Sequence, residues 1–376
     1  MKKAVGIALL FILIILLGGC AVSSGSTSSL YEANEHPDSG KASEEELISI
    51  TPTSDIKQLE SDLYTVRFEG DDKFEDFLDQ GGASTDGEVV TFLAENLLSG
   101  TDLRFLEDLF GCSTIAVKNP QGDVLFGRNF DWDNCEAMIV ASYPDSGYAS
   151  FSTVNMNFID QGAKGIAALA LQMDQVKTLA ALYAPLDGMN EKGLAVSVNM
   201  IQDSAIIDQR TEKPDLTTTT AIRLLLNKAA DVDEAIQLLS GYDMHASMGM
   251  MVHFALADAA GRSVVVEYVD NEMIVTDTPA VTNFYFAKGE KQGIGTEQSH
   301  ERYEILMDRL SRTDSMDMTD VRNVLDRVSK KNFNEFESTE WSIVFNLGMG
   351  QARYYHREHY ETGYLFILEK GGSTDE

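Results

Sequence analysis

An α+β or layered α/β fold is predicted from three features of the sequence. Over residues 112–376, groups of short β-type runs are separated by clear helical segments. Turns such as Asn119-Pro120-Gln121-Gly122 and Asn190-Glu191-Lys192-Gly193 join runs that are mostly antiparallel. The composition is that of a packed protein, with 44% hydrophobic residues in 376, enough for one large domain or two smaller ones. Three cysteines, at 20, 112 and 135, are too few for a disulfide framework, so stability must come from packing. Lys+Arg 29 against Asp+Glu 60 leaves a net charge of −31. Such a surface repels phosphate backbones and excludes nucleic acid as a partner. No repeat of fixed period is present.

The elements follow in order. Residues 1–20 read as a targeting leader: Lys2 and Lys3, then an apolar run from Ala4 to Leu17, shorter than the roughly 20 residues a spanning helix needs. Leu17-Gly18-Gly19-Cys20 resembles the lipobox of bacterial lipoproteins, which implies a lipid anchor on Cys20 and an extracytoplasmic protein held at the cell membrane. Residues 21–55, rich in Ser and acids, read as a flexible tether, with order expected near Ile56. Residues 56–111 form a pro-region: Leu63, Val66 and Phe68 have strand spacing, and Phe74, Phe77 and Leu78 helical spacing. Val89–Leu98 predicts a second helix beyond Gly81-Gly82, and Leu103, Leu106 and Leu109 a third. Strands are predicted at Ser113–Val117, Val124–Phe126, Met138–Ser142, Ala167–Leu171, Leu194–Met200, Met251–Leu256, Ser263–Tyr268, Met273–Thr276, Val281–Phe286, Ser342–Phe345, Ala352–His356 and Tyr364–Leu368. Helices are predicted at Ala221–Ala229, at Glu234–Leu239 behind an Asp231 capping box, at Glu301–Leu310, and at Val321–Val328 starting from Thr319.

Chemistry concentrates in one place. His356 and His359 would point to opposite faces of a strand, which argues against zinc; neither a P-loop, a dinucleotide fingerprint nor a Gly-x-Ser-x-Gly elbow occurs. No metal or cofactor is expected. Gly111-Cys112-Ser113-Thr114-Ile115 is followed by Phe126-Gly127-Arg128-Asn129-Phe130-Asp131-Trp132. A hairpin through the Asn119 turn returns Arg128 to the vicinity of Cys112, and a cation there favours thiolate. Asp131 can hold a second positive group. Taken singly, a buried structural thiol and a strand-end ion pair explain the same residues.

Together these motifs resemble the choloylglycine hydrolase and penicillin V acylase family, the linear amide C-N hydrolases of the N-terminal nucleophile superfamily. The resemblance continues through Asp187-Gly188-Met189-Asn190-Glu191-Lys192-Gly193-Leu194 to Asn199, then Val281-Thr282-Asn283-Phe284 and Ser299-His300-Glu301-Arg302-Tyr303. It implies a four-layer αββα sandwich over 112–376, preceded by a small, mostly helical pro-region. It also implies roles. Cys112 would be the nucleophile and its α-amino group the base; Arg128 would stabilise the thiolate and Asp131 orient the amine. The Asn199 backbone N–H and the Asn283 side chain would form the oxyanion hole, and Arg302 would complete the charged network. The implied reaction is hydrolysis of the amide of a small N-acyl substrate through a Cys112 thioester. A non-catalytic ligand-binding lipoprotein of the same fold, or an acyltransferase, is the alternative.

The 111 residues before Cys112 depart from the bile-salt hydrolases and resemble the long pro-regions of the acid ceramidase branch. Autocatalytic cleavage between Gly111 and Cys112 is therefore expected, Gly111 permitting close approach and unusual backbone angles. The pro-region's apolar faces suggest that it stays docked as a subunit; homo-oligomerisation is left open. Tyr143, Phe158, Tyr183 and Phe284 are candidates for an acyl pocket, and Cys135 reads as a buried bystander. The acidity is uneven: residues 21–111 hold 21 acids and 5 bases, which suits a spacer held off an anionic membrane.

Overall fold

The computed structural model describes residues 45–97, 111–160, 173–331 and 337–369. Cys20, the helix expected around Leu103–Leu109 and the strand expected at Ala167–Leu171 lie outside them. In chain order the elements are β1 (Glu46–Ser49), β2 (Lys57–Glu60), β3 (Leu63–Gly70), α1 (Phe74–Asp79), α2 (Asp86–Leu97), β4 (Gly111–Lys118), β5 (Val124–Trp132), β6 (Ala137–Pro144) and β7 (Ser150–Asn155). Then come α3 (Asn157–Asp160), α4 (Asp174–Leu182), β8 (Asp187–Asn190), β9 (Ala195–Met200), β10 (Asp215–Thr217), α5 (Thr218–Lys228), α6 (Val232–Ser240), β11 (Asp243–His245), β12 (Val252–Ala257) and β13 (Ser263–Val269). The chain closes with β14 (Glu272–Asp277), β15 (Ala280–Val281), α7 (Glu297–Ser311), α8 (Met318–Arg327), β16 (Ser338–Asn346), β17 (Gln351–His356) and β18 (Thr362–Ile367).

Among the described residues two large sheets form. One has the order β1-β18-β17-β16-β5-β4-β15, the other β14-β13-β12-β9-β8-β7-β6-β3-β2. They face each other where β4 meets β9; α7 and α8 cover the first on β4, β15, β5 and β16, while α4, α5 and α6 cover the second. This is the expected αββα sandwich.

Local chemistry explains the central hairpins. In the β4–β5 turn the Asn119 side chain accepts the Gln121 and Asp123 N–H groups, and Gly122, at φ +98°, returns its N–H to the Asn119 carbonyl. The β8–β9 turn repeats the device, Asn190 accepting from Lys192 and Leu194 and Gly193 closing at φ +86°. Helix starts follow their caps. Asp231 accepts the Glu234 N–H as expected, but α8 starts from Asp317, whose capping box with Asp320 displaces the expected start at Thr319.

Among its described residues the upstream segment carries strands as well as the helices α1 and α2, and order begins before Ile56. Its strands β1 and β2 carry few apolar side chains and leave no periodic signal. Backbone pairing decides them: β1 runs parallel to β18, β2 antiparallel to β3, and β3 parallel to β6. Leu63, Val66, Phe74, Phe77, Val89 and Phe92 are buried in the same core as Cys112. Two strands were illegible for a related reason. β7 (SFSTVN) and β8 (DGMN) bury Ser, Thr, Asp and Asn on both faces, against the rule that buried strands read apolar. The expected Val281–Phe286 strand shortens to Ala280–Val281, because the chain leaves the ladder where Asn283 turns to accept the Cys112 N–H.

Candidate active site

Cys112 is the second residue of β4 and is 2% exposed. Antiparallel register sets its neighbours on β5: Gly111 lies opposite Asp131, Cys112 opposite Phe130, and Thr114 opposite Arg128. The predicted return of Arg128 follows, with Nη2 3.5 Å from the Cys112 sulfur. The guanidinium is fully buried and held from the other sheet by the Leu186 carbonyl at 2.8 Å, Asp187 Oδ2 at 2.6 Å and the Val198 carbonyl at 2.9 Å.

Asp131, also fully buried, accepts Arg302 Nη1 at 2.8 Å and the Thr339 hydroxyl at 2.7 Å. Arg302 comes from α7 and donates further to the Cys112 carbonyl at 3.2 Å and to Asn283 Oδ1 at 2.7 Å. The same Asn283 oxygen accepts the Cys112 N–H at 2.8 Å. Asn283 is itself fixed, its N–H donating to Ser299 Oγ at 2.6 Å and its amide to the Met200 carbonyl at 2.7 Å. Cys112, Arg128, Asp131, Asn283 and Arg302 thus meet in one network.

Asn199 is near but differently aimed. Val198 donates its N–H to Leu186 on one edge of β9, and Ile201 donates to Met251 on the other. Alternation sends the Asn199 N–H towards β12, opposite His253. The backbone N–H on the thiol's edge is that of Met200. The Asn199 side chain faces the first sheet, its oxygen accepting from Ser197 at 3.2 Å and its buried Nδ2 without a partner among the described residues.

The electrostatics of the uncleaved chain are those of a thiol held back. Burial pushes Cys112 up, Arg128 pulls it down, and Asp131 adds to the rise, leaving it above the ordinary cysteine range. Gly111 is closely surrounded, although its nearest neighbour is the movable end of a lysine side chain. It is absent from the positive-φ positions, but a Cβ there would come 2.3 Å from Lys330 Nζ and 3.1 Å from Asp131 Oδ2. Lys330, 5% exposed, pairs with Glu337 at 2.7 Å.

Sequence reasoning passed over Asp187, Thr339 and Lys330. Asp187 stands inside a quoted motif and bridges Arg128 to Trp341 Nε1 at 2.9 Å; Thr339 and Lys330 carry no local signal. Of the four aromatic candidates, Phe158 lines the cavity beside Cys112, with Trp132, Leu186 and Met200. Tyr183 instead packs on Phe74 and Phe77, Tyr143 lies under Arg67, and Phe284 stacks on His300. Cys135 is buried with its thiol pushed well up by burial and Glu340. His356 is buried and His359 exposed. Among the described residues no group of three His, Cys, Asp or Glu side chains could hold a metal ion.

Comparison with known proteins finds similarity in sequence and in fold. The profile of the family described as acyl-coenzyme A:6-aminopenicillanic acid acyl-transferase matches residues 179–359. Penicillin V acylase from Pectobacterium atrosepticum is 29% identical over 103 residues, 24% of this chain and 26% of that protein, so the match spans about a quarter of the curated relative. A variant of the conjugated bile acid hydrolase from Clostridium perfringens has the same fold, with a TM-score of 0.52 and 16% identity over 69% of this chain and 93% of that one. Penicillin V acylase from Agrobacterium tumefaciens is similar at a TM-score of 0.48 and 18% identity, over 68% and 86% of the two chains. The chain is thus similar in sequence, over part of its length, to the choloylglycine hydrolase and penicillin V acylase family, and it shares the αββα fold of the conjugated bile acid hydrolase.

Proposed function

We propose that this protein is a cysteine hydrolase that cleaves the linear amide bond of a small N-acyl substrate, after breaking its own Gly111–Cys112 bond. One observation carries the reading: the sulfur of Cys112 lies 3.5 Å from Arg128 while its backbone nitrogen, the prospective α-amine, is held 2.8 Å from Asn283 Oδ1. In maturation the Cys112 thiol attacks the Gly111 carbonyl. The C–N bond breaks to a thioester as the nitrogen takes the thiol proton and becomes the free α-amine, and water then hydrolyses the thioester to the Gly111 carboxylate and the Cys112 thiol. That amine has an intrinsic pKa of about 7.7 to 8.0, suited to a base near neutral pH.

In turnover the α-amine takes the thiol proton and the thiolate attacks the substrate carbonyl. The leaving amine departs with the proton from the α-ammonium, and water, deprotonated by the α-amine, clears the thioester. The Met200 N–H, on the thiol's edge, takes the oxyanion role expected of the Asn199 backbone, beside the remaining amide hydrogen of Asn283. Each such donor contributes about 3 to 4 kcal/mol in other enzymes. Asp131 and Arg302 orient the new terminus. Residues 45–97 stay docked as a subunit, because their strands and apolar side chains belong to both sheets and the shared core. Lipidation of Cys20 anchors the protein outside the cell membrane, which a palmitate label on wild type but not on Cys20→Ala tests.

Mass spectrometry of active protein is expected to find a chain starting at Cys112, and Cys112→Ala to abolish both that cleavage and turnover of N-acyl amides. An intact chain with full activity, or activity in Cys112→Ala, overturns the reading. The matching family's description favours a second outcome, transfer of the acyl group to an amine. Acylation of 6-aminopenicillanic acid in preference to release of the free acid would move the assignment to that reaction.

A further inference from the structure

The cavity beside Cys112 is narrow, about 30 Å³, so its walls decide which acyl group enters. One wall is the short turn Ser247–Gly249 after β11. Met248 lines the cavity there at φ +56°, a left-handed conformation uncommon for a residue with a side chain. Such a conformation persists only where its surroundings hold it.

Three of the hydrogen bonds that hold this one tie it to other elements. Ser247 donates its N–H to Thr218 Oγ1 at 3.0 Å, and Thr219 donates its N–H to Ser247 Oγ at 3.2 Å, both at the start of α5. The third comes from the far side of the proposed scission: the Met248 N–H itself donates to Asp86 Oδ2 at 2.7 Å. Asp86 is the first residue of α2, in the upstream segment. Its carboxyl is pushed up by burial and drawn back by the Met248 and Ser247 bonds.

We infer that Asp86 is a specificity-determining positioning residue, which fixes the Met248 turn and thereby limits the size of the acyl group that reaches Cys112. The acyl group as occupant rests on the hydrolase reading above; the wall and its anchor do not. The upstream segment is in this respect part of the active site, and its retention after cleavage is a condition of selectivity.

The test is alkylation of Cys112 in full-length protein by N-methyl and N-octyl iodoacetamide, followed by mass spectrometry of the Cys112 peptide. The thiolate forms the S–C bond, iodide leaves, and the thiol proton goes to the buffer, so no turnover is required. Asp86→Leu and Met248→Ala are each expected to raise the octyl-to-methyl rate ratio by about tenfold or more, the scale on which apolar pockets discriminate. Asp86→Asn, which keeps an oxygen acceptor, is expected to stay within about threefold of wild type. If Asp86→Leu does not fold, Asp86→Ala makes the same comparison. A wild-type ratio in the Asp86 variants lacking the acceptor overturns the anchor; a wild-type ratio in Met248→Ala overturns the wall. The same variants are assayed on N-acyl amides of graded chain length. Shifted alkylation ratios with inert amides would remove the hydrolase reading and leave this inference standing.

Discussion

The residues on the two sides of Gly111–Cys112 are built differently although they share one sandwich. Downstream, the candidate catalytic groups sit on or beside central strands: β4 and β5 are paired on both edges, and Arg128, Asp131, Asp187 and Asn283 are buried. Upstream, residues 45–97 add strands only at sheet edges, β1 beside β18 and β3 with β2 beyond β6. Acids of that segment meet bases of the rest: Asp62 with Arg357 at 2.9 Å, Glu75 with Lys228 at 2.7 Å, and Glu45 with Arg353 at 3.4 Å. Part of the acidity expected of a free spacer is therefore used in docking. The difference teaches that cleavage at residue 111 would cut the chain but not the fold, since the edges and the apolar core persist without the peptide bond.

Deleting the upstream residues is the most severe way to break the comparison. A chain beginning at Cys112 and expressed alone exposes the β6 and β18 edges and the faces covered by Phe74, Phe77 and Phe92. It is expected to lack a cooperative thermal transition by circular dichroism; a soluble, cooperatively unfolding product would mean that the segment is dispensable. Phe77→Ala is next. Phe77 is fully buried against Phe74, Phe92 and Tyr183, with centroids 5.2 to 5.6 Å away, and its truncation is expected to cost about 3 to 5 kcal/mol in urea unfolding.

Acid acts across the same seam at His356, whose ring faces Glu60 of β2 at 3.4 Å. Burial pushes His356 down to about 3, against about 6.5 in an unfolded chain. Between those values the unfolded state takes up a proton and the folded state does not, so stability falls as the pH drops through that window. The limit is about 1.4 kcal/mol per pH unit, and His356→Gln is expected to flatten that part of the stability profile. The smallest effect belongs to Asp62→Asn. Arg357 keeps Glu340 at 3.1 Å, so the loss is expected to be about 1 kcal/mol or less and to shrink further with added salt.

How far the sequence reaches can be read residue by residue. The Asn119 and Asn190 turns were legible because each packs its conformation into four adjacent residues. Cys112, Arg128 and Asp131 were legible because a hairpin register relates them, and Asn283 and Arg302 through the motifs of a known family. The strands β7 and β8 were not, since their polar residues are buried by neighbours distant in sequence. The direction of the Asn199 N–H was not legible either. It depends on which edge of β9 faces the thiol, a property of the sheet and not of the motif.

By itself, then, and apart from the sandwich that the family resemblance implies, the sequence determined the α+β class, the hairpin that brings Arg128 to Cys112, and the glycine before Cys112. These are encoded by local turn chemistry, alternation and motif spacing, which act over a few residues. Only the tertiary structure decided that the upstream segment is woven into both sheets, that Asp187 and Thr339 support the charged network, and that Asp86 touches the wall of the cavity. Those relations join backbone edges and side chains more than fifty residues apart, as between Asp86 and Met248, and packing sets them because no local pattern in the chain can record which distant surface will satisfy a buried N–H or carboxylate.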